Sequence, residues 1–129
     1  MEKQELNRIL KKHLKYLNGE EGGERASLSG ARLEGINLAG ANLKNALIRR
    51  ANLEKANLHG AILEGADLRE ANLDAVDFGD ANLRGADLRN ASLRVAGMWG
   101  ADLTGANLKG ADLGLYHLDQ IGIEGAIMP

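Results

Sequence analysis

From Ala26 to the end of the chain, apolar residues recur every fifth position without a slip. The sequence divides into pentads, ASLSG, ARLEG, INLAG, ANLKN and ALIRR through ADLTG, ANLKG and ADLGL. Of 21 third positions, 16 are Leu, the others being Ile48, Phe78, Met98, Ile123 and Met128; of 21 first positions, 17 are Ala. Positions one and three are therefore the expected buried pair. Second positions are Asn or Asp in 12 of 21 pentads, and 10 of the 20 complete pentads end in Gly.

A five-residue period suits neither regular element. On a helix, successive Leu residues step around every side; on a straight strand, an odd period sends alternate Leu residues to opposite faces. The chain must therefore turn within each pentad. Ala and Leu, two apart, point the same way along a short extended piece, while the fourth, fifth and second positions supply the corner and the outer surface. Gly admits the positive φ that such a corner needs, and Asn or Asp can bond local backbone groups.

Residues 1–25 follow a different rule. Leu6, Ile9, Leu10, Leu14 and Leu17 recur at helical spacing, with Glu2, Lys3, Lys11, Lys12 and Lys15 on other sides and Asn18-Gly19 as a stop. An amphipathic helix is expected, covering the open end of the first coil as solenoids generally require, with GEEGGERA as the link. A membrane-surface or partner helix is the alternative use of such a segment. The expected division is 1–25 as cap and linker and 26–129 as the repeat.

The run ANLEKANLHGAILEGADLREANL resembles the pentapeptide-repeat family, and KKHLKYLNGEEGGERASL resembles the leader of some bacterial and phage members. The resemblance implies an all-β solenoid, a right-handed quadrilateral β-helix with four pentads per coil. At a strand spacing of ~4.8 Å, about five coils make a rod of roughly 25 Å. Columns taken every twentieth residue sort by chemistry: Ser29, Arg49, Arg69, Arg89, Lys109 in one, Glu34, Glu54, Asp74, Arg94, Gly114 in the next.

Composition removes several functions. The absence of Cys excludes disulfides, thiolate catalysis and Cys-ligated metals. A formal charge of -2 gives no general pull toward nucleic acid, and no segment has the apolar run of a signal peptide or membrane span, so a cytoplasmic address is expected. His13, His59 and His117 are too scattered for a metal site. No Ser, His and acid fall at triad spacing, GADLRGADL lacks the Lys-Ser/Thr ending of a phosphate loop, and a convex rod offers no cleft to perturb a carboxylate pair. The expectation is a non-enzyme without cofactor or metal.

Binding remains. The Arg49, Arg69, Arg89, Lys109 column stacks like charges, which is either neutralised by Asp67, Asp87 and Glu70 or held for an anionic or protein ligand. Trp99, the only tryptophan, belongs to the column Ala39, His59, Gly79, Trp99, Asp119, beside the atypical residues Ile36, Val76, Tyr116, Phe78 and Met98. It either covers its own backbone, with Gly79 and Gly97 leaving room, or serves as an interaction hot spot. The final coil, LGLYHLDQIGIEGAIMP, places Leu118, Ile121, Ile123, Ile127 and Met128 at one end, where two copies could meet about a two-fold axis.

Two functions follow as expectations: a structural or protein-interaction rod with an unidentified partner, or a mimic of duplex DNA acting on DNA gyrase or topoisomerase, as the resemblance to certain family members implies. The second requires a strongly acidic rod. With 13 acids and 10 bases the repeat region carries only -3, and no insertion interrupts its register.

Overall fold

The computed structural model describes residues 1–115 and 122–129. Among the described residues one helix, α1, spans Lys3–Leu17, and each pentad from 26 to 115 contributes a short extended piece followed by a turn. Second positions pair in parallel with residues 20 further on: Ser27 with Leu47, Leu47 with Asp67, Asp67 with Asp87, Asp87 with Asn107. This constant step closes each coil after four pentads and gives a right-handed quadrilateral β-helix. Wall one carries the pentads that begin at 26, 46, 66, 86, 106 and 126; walls two, three and four begin five, ten and fifteen residues later.

The repeating sequence satisfies its backbone almost by rote. A first-position N–H donates to the third-position carbonyl before it (Ala31 to Leu28, 3.0 Å), closing the turn. The second reaches the preceding coil (Leu47 to Ala26, 2.9 Å); the third and fifth reach the following one (Leu28 to Leu47, 2.7 Å; Gly30 to Arg49, 2.9 Å). The fourth N–H is taken by a side chain: all 12 second-position Asn and Asp residues accept it on Oδ1, as in Arg69 to Asp67 at 3.2 Å. Asn and Asp recur because they complete this set of donors. Where Ser92 stands instead, the Arg94 N–H turns to Asp74 of the coil below, 2.9 Å away.

First and third positions fill the interior. Every third position from Leu28 to Leu108 is at most 3% exposed. The bulky exceptions in wall three, Val76, Phe78 and Met98, point inward like their neighbours. Ala at position one keeps the tube narrow enough for the Leu layers to meet.

From Gly30 to Gly110 the fifth positions take positive φ whether or not they are Gly. Asn90 at 60° suits the left-handed region; Val95 at 50° does not, because a β-branched side chain crowds the backbone there. From Asn45 to Asn90 the non-Gly fifth-position N–H groups donate to the following coil, and this coil-to-coil hydrogen bonding imposes the conformation over local preference.

Helix α1 lies over the first coil, as expected, but on a different stripe. Leu6 and His13 are its buried residues, with Ile9 and Leu10 partly buried, while Leu14 is 47% exposed. His13 occupies the place expected of Leu14. The Ala26 N–H donates to His13 Nδ1 at 2.9 Å, so the ring proton sits on Nε2, which donates to the Lys44 carbonyl at 2.9 Å. One neutral imidazole thus ties the helix to both the beginning and the end of the first coil. Tyr16 stacks on it, and the Met1 ammonium donates to the Arg32 carbonyl at 3.1 Å.

Candidate interaction surface

With first and third positions inside, the second, fourth and fifth positions make the outer surface, and the coil height brings each into line with its equivalents. Wall one contains the basic column. Arg69 and Arg89 each fold back on the Asp two residues earlier, forming two-pronged contacts: Nε to Oδ1 at 2.9 Å and Nη2 to Oδ2 at 2.7 Å in both. Arg69 Nε also lies 3.7 Å from Asp87 of the next coil, and Arg50 pairs with Glu70. Hydrogen bonding from Arg69 holds the Asp67 carboxyl below the ordinary range, and Arg89 does the same to Asp87; the arginines are correspondingly raised.

The two ends of the column differ from its centre. Arg49 has Leu47 where Arg69 and Arg89 have an Asp, and its Nε is buried with no hydrogen-bond partner among the described residues. Lys109 is exposed and follows Asn107 rather than an acid.

Walls two and four repeat this local pairing between coils. Arg94 Nε donates to Asp112 at 2.6 Å and Arg84 Nη1 to Asp102 at 3.1 Å. The backbone N–H of Gly114 and then Arg94 hold the Asp112 carboxyl low, while Asp102 is lowered first by the Thr104 hydroxyl.

Wall three is built otherwise. Its described pentads INLAG, ANLHG, VDFGD and AGMWG contain no Lys or Arg. His59 stands 3.7 Å from both Asp77 and Asp80, more than half exposed, as are both acids. It lies over Gly79, where an added Cβ would come within 2.6 Å of its Nδ1. Trp99 follows in the next coil, joined to it through the Asp80 N–H and the Trp99 carbonyl at 3.0 Å, and is 68% exposed. The space over Gly79 belongs to the imidazole, and Trp99 remains largely exposed.

At the last coil, Ile123, Ile127 and Met128 are 38%, 54% and 39% exposed; Leu118 and Ile121 lie outside the described residues. A cleft of about 290 Å³ separates α1 from the first coil, with Arg8, Lys12, Arg25 and Ser27 among its lining residues. Among the described residues no three or more His, Cys, Asp or Glu side chains gather as a metal site, and no helix is long and apolar enough to cross a membrane.

The profile of pentapeptide repeats matches in 8 copies over residues 26–65, 51–90 and 81–114. The chain belongs to that family. Among solved structures, a pentapeptide repeat protein from Nostoc PCC 7120, alr5209, is 32% identical and superposes over 92% of this chain and 93% of its own with a TM-score of 0.73. The pentapeptide repeat protein Rfr23 from the cyanobacterium Cyanothece 51142 is 29% identical over 81% and 86% of the two chains, at a TM-score of 0.42. QnrB1, a plasmid-mediated fluoroquinolone resistance protein, is 16% identical over 83% of this chain and 67% of its own, at 0.46. A comparison with curated sequences gave no match. For this pentapeptide-repeat chain, the sequence located the columns and offered Asp67, Asp87 and Glu70 as acids facing the basic one; Asp67 and Asp87 pair with Arg69 and Arg89, whereas Glu70 pairs with Arg50. The triplet Asp-Leu-Arg, at 67–69 and 87–89, is the signal for the two-pronged pairs. His13 carried no such signal.

Proposed function

We propose that this pentapeptide-repeat protein is a non-enzymatic binding rod that works in the cytoplasm by presenting its outer columns to a protein partner. Residues 1–25 serve as its cap. The observation that carries the reading is the division of labour within the pentad: positions one and three are committed to the core, leaving ordered rows of second, fourth and fifth side chains to make the surface. The exposed Ile123, Ile127 and Met128 support association of two copies through the last coil.

Anion binding along Arg49, Arg69, Arg89 and Lys109 is the weaker use of wall one, because Asp67 and Asp87 already occupy the forks of two of the four cations. DNA mimicry toward gyrase or topoisomerase is disfavoured by the same paired arginines.

The test is affinity capture from the source cell with the full chain, followed by reconstitution with the purified partner. A stoichiometric complex that forms without any change in a small molecule supports the rod; no partner under any condition, or inhibition of gyrase supercoiling at micromolar protein, overturns it. Light scattering tests the end-to-end pair: a dimer lost in Ile123→Glu supports it, and a mass of 13.8 kDa at high concentration refutes it.

A further inference from the structure

Wall three has a composition that selects the chemistry of its partner. It lacks Lys and Arg along its whole described length, while Asp77 and Asp80 face solvent with His59 as their one ion-pair neighbour among the described residues, at 3.7 Å each. In the other walls Asp67, Asp87, Glu70, Asp102 and Asp112 each meet an arginine, while Glu34, Glu64 and Asp74 accept from Asn52, Asn82 and Ser92; wall three differs in holding its described acids with no Lys or Arg of its own. Next to the wall-three acids stands Trp99, 68% exposed. The corner leading into this wall reads Lys55, Ala75, Val95, Leu115 in successive coils, and its last two residues are 80% and 96% exposed. Lys55, three coils from Leu115, is the cation at that border.

An exposed indole with two uncompensated carboxylates on the adjoining coil and an aliphatic edge is a receptor for a cation attached to apolar groups. The indole face attracts a guanidinium or ammonium, and the carboxylates supply charge and hydrogen-bond acceptors. Val95 and Leu115 offer apolar surface for the neighbouring residue of the same segment. Nucleic acid and acidic peptides are repelled by the same arrangement. Resting on the binding-rod reading above, we infer that wall three, centred on Asp77, Asp80 and Trp99, docks a partner segment in which arginine or lysine alternates with aliphatic residues.

The single tryptophan reports on the site directly. The full-length protein is titrated with a tryptophan-free decapeptide alternating arginine and leucine, while Trp99 emission is followed and heat is measured in parallel. Saturable binding that shifts the emission and weakens with salt is expected. Asp77→Asn with Asp80→Asn, which keeps the Oδ1 acceptor for the Gly79 N–H, weakens it by about fivefold, the sum of two exposed ion pairs. His59→Lys, placing a fixed cation between the acids, weakens it further, and the wall-one pair Asp67→Asn with Asp87→Asn leaves it unchanged. The inference is overturned by absence of binding, by heat without an emission change, or by equal affinity in the wall-three and wall-one variants. A glutamate-leucine peptide that binds as well would also overturn it. These outcomes leave the rod itself standing if a captured partner is retained by the wall-three variant; failure of wild-type capture removes the rod.

Discussion

Walls one and three lie on opposite sides of the same tube, use the same backbone and turn, and differ in nearly everything that points outward. In wall one the fourth-position arginines fold onto acids two residues earlier, so charge is spent within the wall. In wall three the described fourth positions are Ala39, His59, Gly79 and Trp99, and the carboxylates of Asp77 and Asp80 meet no arginine among the described residues. A shared fold therefore says little about a shared surface. Stability resides in positions one and three, and the remaining three positions are free to diverge by wall.

The largest test of that separation is inside. Phe78→Ala in wall three and Leu68→Ala in wall one should each lower stability by about 3–5 kcal/mol by denaturant titration, since both side chains are wholly enclosed in a tube that cannot collapse around the gap. A loss under about 1 kcal/mol at Phe78 alone would show that wall three is loosely packed behind its unusual surface.

Next is the junction from which both walls start. His13→Ala should cost about 2 kcal/mol by leaving the Ala26 N–H and Lys44 carbonyl without their partner. Burial first, and the nearby Arg25, hold the imidazole below its ordinary value of 6.5, against the opposing effect of the Lys44 carbonyl. The unfolded chain thus takes up the proton more readily than the folded one. The contribution is whole above pH 6.5 and is lost as pH falls below it toward the folded value. Thermal melts from pH 7.5 to 5 should show a decline in the wild type that His13→Ala lacks; parallel curves would remove the role assigned to the ring.

Corner residues give a smaller effect of opposite sign. Val95→Gly, at the corner before wall three, should raise stability by about 1 kcal/mol, the relief of a β-branched residue at positive φ less the added freedom of the unfolded chain. Asn90→Gly, at the corner after wall one, should change little, because Asn tolerates that conformation. Equal responses would mean that the side chain does not set the strain.

The smallest difference is electrostatic. Asp67→Asn retains the turn acceptor and removes only the charge facing Arg69, so a loss of about 0.5 kcal/mol is expected. Asp77→Asn retains its acceptor too, removes no arginine pair, and should melt with the wild type. A comparable loss at both sites would refute the contrast between the walls.

The fold was legible because each pentad repeats the same instruction, so Ala and Leu at fixed spacing outvote any single exception such as Val76 or Phe78. The surface was legible as columns and not as contacts. Whether Arg49 and Arg69 have partners depends on Leu47 against Asp67, a difference readable only once the fourth-position side chain is known to fold back. His13 was hidden in LKKHLKY, where a histidine among lysines reads as polar; its burial depends on Ala26 and Lys44, 13 and 31 residues away, whose backbone groups have no signature in sequence. Leu14 filled the helical period equally well and turned outward.

The constant 20-residue step also determines how such a chain can change length. Removing or duplicating one pentad keeps every Ala and Leu inside, yet it carries all later outer residues a quarter turn around the axis, so that Asp77 and Asp80 would stand where wall two or wall four now stands. Only a gain or loss of a whole coil preserves both the interior and the arrangement of the surface. Length variation in units of five is thus a way to shuffle addresses on a rod without refolding it, and variation in units of 20 is a way to extend an address already in use.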